Sequence, residues 1–186
     1  MTDIVFTGTA TLDGVAHDAV LTLTPTESPP PPPPPSGAEI DRTIGSVVTN
    51  FDIRPEAARD GNFNKPNSAA TRTGGNNTRR YWGIDYGASS KVFTKSLVHG
   101  TNNAGYRDDL AGVQITIEVR TSDVAPNSDG SNGVLRGSVS FAQALNESAS
   151  REIVHSADAA AYRYIWYVVI AASAGNLNFG QGRHFT

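Results

Sequence analysis

Two loops rich in Asn, Arg and Gly contain the side chains best suited to binding a polar ligand. They run over residues Gly61 to Arg80 and Gly100 to Asp109. Arginine and asparagine donate directional hydrogen bonds to hydroxyl or carboxylate oxygens, and an aromatic ring offers a flat apolar face. The same residue types are also typical of turns that only connect strands. The side chains with the reach and the donors to bind a ligand are Arg72, Arg79, Tyr106 and Arg107.

The sequence contains no arrangement of residues that predicts catalysis. It has no nucleophile elbow, zinc-protease helix or phosphate-binding loop, and it has no cysteine. The pair Asp108-Asp109 offers half of a carboxylate pair, but we expect it instead to cap a turn beside Arg107. We therefore predict a protein that is not an enzyme and has no catalytic or metal-ligating residues. The histidines are too scattered for the spacing of metal ligands, and they are His17, His99, His155 and His184.

Composition limits the partners of the chain. Its 186 residues have a formal net charge of −3, and only 18% of them are charged. Lysine and arginine are scattered, which argues against a nucleic-acid partner. The longest apolar stretch, YIWYVVIAASAG, is far shorter than the ~20 residues of a membrane span, so we expect no membrane insertion. The start, MTDIVFTGTATLDG, lacks the features of a signal peptide, which predicts a protein made in the cytoplasm.

Most of the chain alternates between apolar and polar residues with the period of a β-strand. In VQITIEVR, the apolar positions from Val113 to Val119 alternate with polar ones, which predicts a strand with one face on a core. The segment YRYIWYVVI is almost continuously apolar, which predicts a central strand covered on both sides. Eight such segments follow residue 38, with turn signals between them, and they favour an antiparallel sandwich. Helical patterns are limited to EAARD near Glu56 and SFAQALNES near Ala142, the second of which equally fits a strand end and a loop.

The chain divides into three segments. Residues 1–25 read as a β-hairpin around Asp13-Gly14, which serves in docking or oligomerisation because a lone hairpin is marginal in water. Residues 26–37 contain the consecutive prolines Pro29 to Pro35. Such a run adopts polyproline II and acts as a stiff spacer, or alternatively binds a proline-recognition domain. Residues 38–186 form the sandwich domain.

The order of motifs in the third segment resembles the discoidin family, the coagulation factor 5/8 C-type domains. That family has an A-x-D-G segment, a W-x-x-I/V-D-L/F-G strand and three later strand motifs in a fixed order. The resemblance covers about 150 residues, nearly all of residues 38–186. The family's terminal cysteines are absent, and APNSDGSNG is inserted after the fourth motif. The matching residues are Ala58, Asp60 and Gly61; Trp82, Ile84, Asp85, Tyr86 and Gly87; Val92, Phe93 and Leu97; Ile117, Glu118, Val119, Thr121 and Asp123; and Tyr162, Arg163 and Tyr164.

The resemblance implies a galactose-binding-like jelly roll in which Trp82 belongs to the core. It also implies that ligands bind at the end of the sandwich that carries the two polar loops. Some members hold calcium, and here Asp60, Asn62 and Asn64 offer oxygens at alternate positions. A glycine-rich turn has the same residues, so we expect no cofactor, with calcium as the alternative.

Hairpin, stiff spacer and sandwich, without an export signal, together predict a virion surface protein of a tailed bacteriophage. Such a fibre, spike or decoration protein is made in the host cytoplasm and becomes part of the virion. The hairpin is expected to contact other virion proteins and to form a homo-oligomer. The sandwich is expected to bind a glycan on the host surface. The alternatives are a bacterial carbohydrate-binding lectin module and a structural scaffold without a ligand.

Overall fold

The computed structural model describes residues 4–23, 37–102, 105–108, 111–144, 150–158 and 160–186. It divides the chain into two compact units, Met1–Ser36 and Gly37–Thr186. The predicted spacer at residues 26–37 lies almost entirely outside the described residues, so it stays a prediction. Within the described ranges, no helix has the length and apolar character needed to cross a bilayer.

The first unit contains the predicted hairpin. Strands β1 (Ile4–Leu12) and β2 (Val15–Leu23) pair antiparallel along their full length. The turn between them consists of Asp13 and Gly14, whose φ angles are 49° and 79°. Positive φ at both turn residues matches the right-handed twist of the paired strands, which explains the Asp-Gly sequence.

The second unit is an antiparallel β-sandwich, as predicted. A five-stranded sheet has the order β3-β5-β10-β7-β8, and a three-stranded sheet has the order β12-β6-β9. A short pair, β4 with β11, lies beside them. The strands are β3 (Ser46–Thr49), β4 (Thr71–Arg72), β5 (Asn77–Asp85), β6 (Lys95–His99), β7 (Gln114–Ser122), β8 (Val134–Ala142), β9 (Ser150–Val154), β10 (Tyr164–Gly175), β11 (Asn178–Phe179) and β12 (Gln181–Phe185).

Helical structure in this unit is limited to two short 3-10 helices, Pro55–Arg59 and Asn67–Ala69, among the described residues. The first corresponds to the predicted EAARD helix. The SFAQALNES segment continues strand β8 as far as Ala142, and its residues 145–148 lie outside the described part of the chain.

The main core lies between the two large sheets. Ile115, Ile117 and Val119 of β7 are fully buried, whereas Thr116 and Glu118 are half-buried on the other face. The predicted phase of this strand is therefore confirmed. Strand β10 is central, and its residues from Tyr164 to Val169 are all buried, as its continuous apolar pattern predicts. The three-stranded sheet contributes Val98, Ile153 and other residues to the same core.

Trp82 lies in this core with none of its surface exposed. Its ring packs against Tyr167 and Phe179, with centroid distances of 6.3 Å and 5.6 Å. Its indole Nε1 donates to the carbonyl of Pro55 at 2.7 Å. The indole ring is buried against other core side chains, and its only polar atom has a hydrogen-bond partner inside the domain. The predicted framework role of Trp82 is therefore confirmed.

A smaller cluster covers the opposite face of the five-stranded sheet. It consists of Tyr81, Tyr164, Trp166 and Val168. The inserted segment noted in the sequence, residues 125–133, folds over this cluster, and we call it the cover loop. The Gly130 carbonyl accepts a hydrogen bond from Trp166 Nε1 at 2.8 Å. The insertion therefore closes an aromatic surface that the sheet alone would leave open to water.

The two ends of the second unit are adjacent. The amide of Thr186 donates to the Ala38 carbonyl at 3.1 Å, and the amide of Ile40 donates to the His184 carbonyl at 2.9 Å. The chain therefore enters and leaves this unit beside the last residues of β12.

Candidate functional site

The two polar loops lie side by side at one end of the sandwich. The amide of Asn102 donates to the Lys65 carbonyl at 2.9 Å. Further along both loops, Arg72 Nη1 lies 3.8 Å from Asp108 Oδ2. Residues 173–178 lie between them and complete what we call the loop end, which comprises residues 61–78, 100–102, 105–108 and 173–178. The loop end adjoins Gln181, the first residue of β12. The two ends of the second unit adjoin Phe185, the last residue of that strand.

Arg72 is the predicted residue best placed to bind a ligand. Its backbone is fixed by two hydrogen bonds with Ile53, each 3.0 Å long, and it pairs with Asn178 across the short sheet. Its side chain is 35% exposed. The guanidinium has no hydrogen bond to any residue that the structure describes, and only the ion pair with Asp108 orients it. Its donors can therefore reach a ligand from solvent.

Asp108 and Asn178 are site residues that the sequence reasoning missed. Asn178 Nδ2 donates to Asp108 Oδ1 at 3.0 Å, which fixes the carboxylate beside Arg72. Asn178 is fully buried, and Asp108 is half-buried. The sequence favoured a turn-capping role for Asp108 over half of a carboxylate pair, and Asn178 lies in an ordinary strand pattern. No local signal links two residues so far apart in the chain.

Arg79 lies on the outer face of the five-stranded sheet and holds the cover loop. Its Nε donates to the Asp129 carbonyl at 3.0 Å, and its Nη2 lies 3.4 Å from Glu118 Oε2. Arg120 shares the same carboxylate oxygen at 2.8 Å and donates to the Ser131 carbonyl at 2.6 Å. The contacts of Arg79 show that its side chain holds the cover loop against the sheet. Its predicted part in ligand binding stays a prediction.

Tyr106 and Arg107 are not surface side chains, so that expectation is corrected. Tyr106 is 0% exposed and packs edge-on against Phe141 at 5.5 Å. Arg107 is 2% exposed and donates to the carbonyls of Ser173 and Ala174 at 2.7 Å and 2.6 Å. These two side chains support the loop end from inside, since neither reaches solvent. Alanine at either position is expected to lower stability.

An aromatic and basic cluster lies beside the loop end. Phe63 packs against the His99 ring at 4.7 Å, and the guanidinium carbons of Arg42 and Arg183 lie 5.0 Å and 5.1 Å from its centroid. Burial lowers the pKa of His99, and the positive charges of Arg183 and Arg42 lower it further. Glu39 pairs with both arginines. The aromatic ring noted in the first loop is therefore already stacked within the domain.

Asp60, the first of the three residues considered for calcium, is held by donors from the protein itself. Its Oδ1 accepts hydrogen bonds from Lys65 Nζ at 2.8 Å, Gln181 Nε2 at 2.6 Å and the Asn62 amide at 2.9 Å. The Oδ1 atom of Asn62 accepts from the Asn64 amide at 3.2 Å. The DGNFN segment thus forms consecutive side-chain turns.

A hydrogen-bonded group of polar side chains lies in the core. Ser96 Oγ is 2.9 Å from His155 Nε2 and 3.3 Å from His184 Nδ1, and Tyr167 OH is 3.0 Å from the same atom of His184. Burial lowers the pKa of His155 to about 4. The pKa of His184 is also well below its usual value for the same reason. Ser96 and His184 are fully buried, so this group serves the packing of the sheets.

Comparison with known proteins agrees with the fold. No protein-family model matches the sequence, and no curated protein matches it. A mutant of the lectin binding domain of Lectinolysin, complexed with Lewis b, matches with a TM-score of 0.54 and 15% identity over 80% of this chain and 97% of that one. The family 32 carbohydrate-binding module of Clostridium perfringens NanJ, complexed with galactose, has a TM-score of 0.54 and 10% identity over 80% and 98%. A Streptococcus pneumoniae fucose binding module has a TM-score of 0.51 and 16% identity over 81% and 96%.

Proposed function

We propose that the sandwich unit binds a glycan at the loop end, with Arg72 as its main donor. The similar structures are sugar-binding modules of the galactose-binding-like fold, which supports a binding role rather than a catalytic one. The observation that carries the proposal is the pair formed by Arg72 and Asp108. A guanidinium and a carboxylate, fixed side by side at a partly exposed edge, can donate to and accept from neighbouring sugar hydroxyls.

We propose further that the protein is a surface component of a tailed-bacteriophage virion. The hairpin is the expected attachment segment. Within the described residues, β1 and β2 pair only with each other, so each has an outer edge whose backbone groups can pair with another strand. A virion partner or a second copy of the chain can add a strand there. The spacer then separates this attachment segment from the glycan-binding unit.

A glycan array probed with the full chain tests the binding role. Arg72→Ala should weaken binding of the retained glycan by roughly tenfold or more, since a charge-assisted hydrogen bond contributes about 1.5–3 kcal/mol. Arg163→Ala is the matched control, because Arg163 is also a partly exposed arginine in an ion pair, with Asp85 at 2.7 Å. Equal loss in both variants would contradict the assignment of the site. Absence of any bound glycan would favour the scaffold alternative.

Electron microscopy of purified phage particles, labelled with an antibody against the sandwich unit, tests the virion role. Labelling at regular positions on the particle is the expected result. Antigen found only in the soluble fraction of the lysate, never on particles, would contradict it and favour the lectin module.

A further inference from the structure

Lys65 is a buried lysine whose ammonium group donates hydrogen bonds to two oxygen atoms of the protein. The residue is 1% exposed. Its Nζ donates to the Ala57 carbonyl and, at 2.8 Å, to Asp60 Oδ1. Gln181 Nε2 donates to the same two oxygens at 2.8 Å and 2.6 Å. A charged group is buried in this way only when partners compensate its loss of water.

Backbone carbonyl and carboxylate oxygens of a loop are also the ligand types that calcium prefers. The residues here do not fit that ion. Asp60 is the only carboxylate of the three residues considered for calcium, and its Oδ1 already accepts three hydrogen bonds. The described part of the chain contains no group of three or more His, Asp or Glu residues that could hold a metal. A divalent cation beside Asp60 would also meet the positive charge of Lys65.

We propose that the Lys65 ammonium is the internal cation of this loop and makes the sandwich independent of calcium. The group links three parts of the fold. Ala57 belongs to the first 3-10 helix, Asp60 directly precedes the first polar loop, and Gln181 begins β12. The carbonyl of Lys65 accepts the Asn102 amide of the second loop. One side chain therefore supplies the charge that would otherwise come from a bound metal ion.

Thermal unfolding of the full chain tests this proposal without reference to any glycan. The melting temperature of the natural protein should be the same in excess EDTA, in buffer and in millimolar calcium chloride. Calorimetric titration with calcium chloride should show no saturable binding. A fall in melting temperature with EDTA, or a rise with calcium, would overturn the proposal.

Substitution of the lysine supplies the second arm of the test. Lys65→Met should lower the melting temperature by roughly 5–15 °C, because it leaves Asp60 without its charge partner. Lys95→Met is the matched control, since it removes the partly exposed pair with Glu152 and should shift melting by only about 2–3 °C. Equal shifts in the two variants would overturn the role of Lys65.

If Lys65→Met does not fold, the double variant Lys65→Met with Asp60→Asn should fold better, because the unpaired carboxylate is gone. A double variant no better folded than Lys65→Met would overturn the proposal.

Discussion

At the scale of single residues, exposure separates the side chains of the loop end by role. Arg107 lies under residues 173–175, where its guanidinium donates to the backbone carbonyls of Ser173 and Ala174. Arg72 lies 35% exposed at the edge, and among the described residues its guanidinium makes an ion pair with Asp108 and no hydrogen bond. The two arginines look alike in the sequence but differ in exposure. Arg107 is buried and stabilises the backbone of the loop end, whereas Arg72 is the donor in the proposed binding site.

Trp82→Ala should destabilise the sandwich by roughly 3–5 kcal/mol, as deletions of large buried aromatic rings do. Loss of ligand binding should follow only from unfolding, because the indole contacts core residues and the Pro55 carbonyl. Denaturant unfolding of this variant and of Phe63→Ala, at the half-buried ring, measures the difference. A Trp82→Ala protein that stays folded and loses its ligand would place Trp82 in the site.

Acid should destabilise the domain through its buried histidines. The folded pKa of His155, about 4, lies below the ordinary 6.5, so the unfolded chain binds more protons between these values. The stability that neutral His155 contributes is complete above pH 6.5 and is lost as the pH falls toward 4. The pKa values of His184 and His99 are lowered in the same direction.

Urea unfolding at pH 7 and pH 5 checks this prediction. Each such histidine contributes at most about 1.4 kcal/mol per pH unit. His155→Gln should therefore show a shallower loss of stability than the natural protein. Carboxylates such as Asp85, whose pKa is lowered by Arg163, lose their contribution only at more acidic pH. An identical change in unfolding free energy between pH 7 and pH 5 in both proteins would exclude His155 as a cause of the acid destabilisation.

At the scale of strands and loops, burial on one or both faces of a strand explains whether its sequence alternates between apolar and polar residues. Strand β7 alternates because one face contacts the core, and the hydroxyl of Thr116 on the other face is 2.8 Å from that of Ser140. Strand β10 does not alternate, because the cover loop closes its second face. The insertion in the loop and the apolar run in the strand are thus two parts of one packing arrangement.

Ile117→Asp or Ile115→Asp should unfold the sandwich, since each would bury a charge without a partner. Thr116→Asp, on the neighbouring position and the opposite face, should leave the unfolding free energy within about 1 kcal/mol. Circular dichroism during thermal unfolding measures all three. Equal melting temperatures would mean that the strand faces are reversed.

Gly130→Ala should weaken the cover loop more than Gly75→Ala does. Both glycines have positive φ, 69° and 83°, so both substitutions share the backbone strain of about 1 kcal/mol. A Cβ on Gly130 would lie 2.8 Å from Tyr81 Cβ, whereas nothing lies within 4 Å of one on Gly75. Tryptophan fluorescence and urea unfolding report the difference. Similar stability of the two variants would contradict the tight contact with Tyr81.

The strands could be predicted from the sequence because their signal is local. The segment VLRGSVSFA coincides with β8, and the faces of β7 follow from alternation alone. The loop end could not be predicted in the same way. Arg107 is buried by Ser173, which lies 66 residues further along the chain, and nothing near Arg107 reports that contact. Asn178 joins Asp108 across 70 residues for the same reason.

At the scale of the whole molecule, the proline run lies in the sequence between the hairpin and the sandwich unit. Replacing Pro29 to Pro35 with a Gly/Ser linker of equal length should leave both units folded and assembled, and increase only their relative mobility. Melting temperature, particle assembly and NMR relaxation measure these three properties. Loss of assembly in the variant would mean that the prolines themselves are contacted by a partner.

The adjacent ends of the sandwich unit give it a fixed direction of display. Ala38 and Thr186 meet beside the last residues of β12, whereas the loop end, where Arg72 pairs with Asn178, adjoins Gln181 at the start of that strand. The strand between them spans roughly 13–16 Å. A sandwich that is attached through either of its termini is therefore held at the end opposite the loop end. Many copies fixed to one support in this way would all turn their loops outward, so that individually weak contacts with a sugar-coated surface would add up.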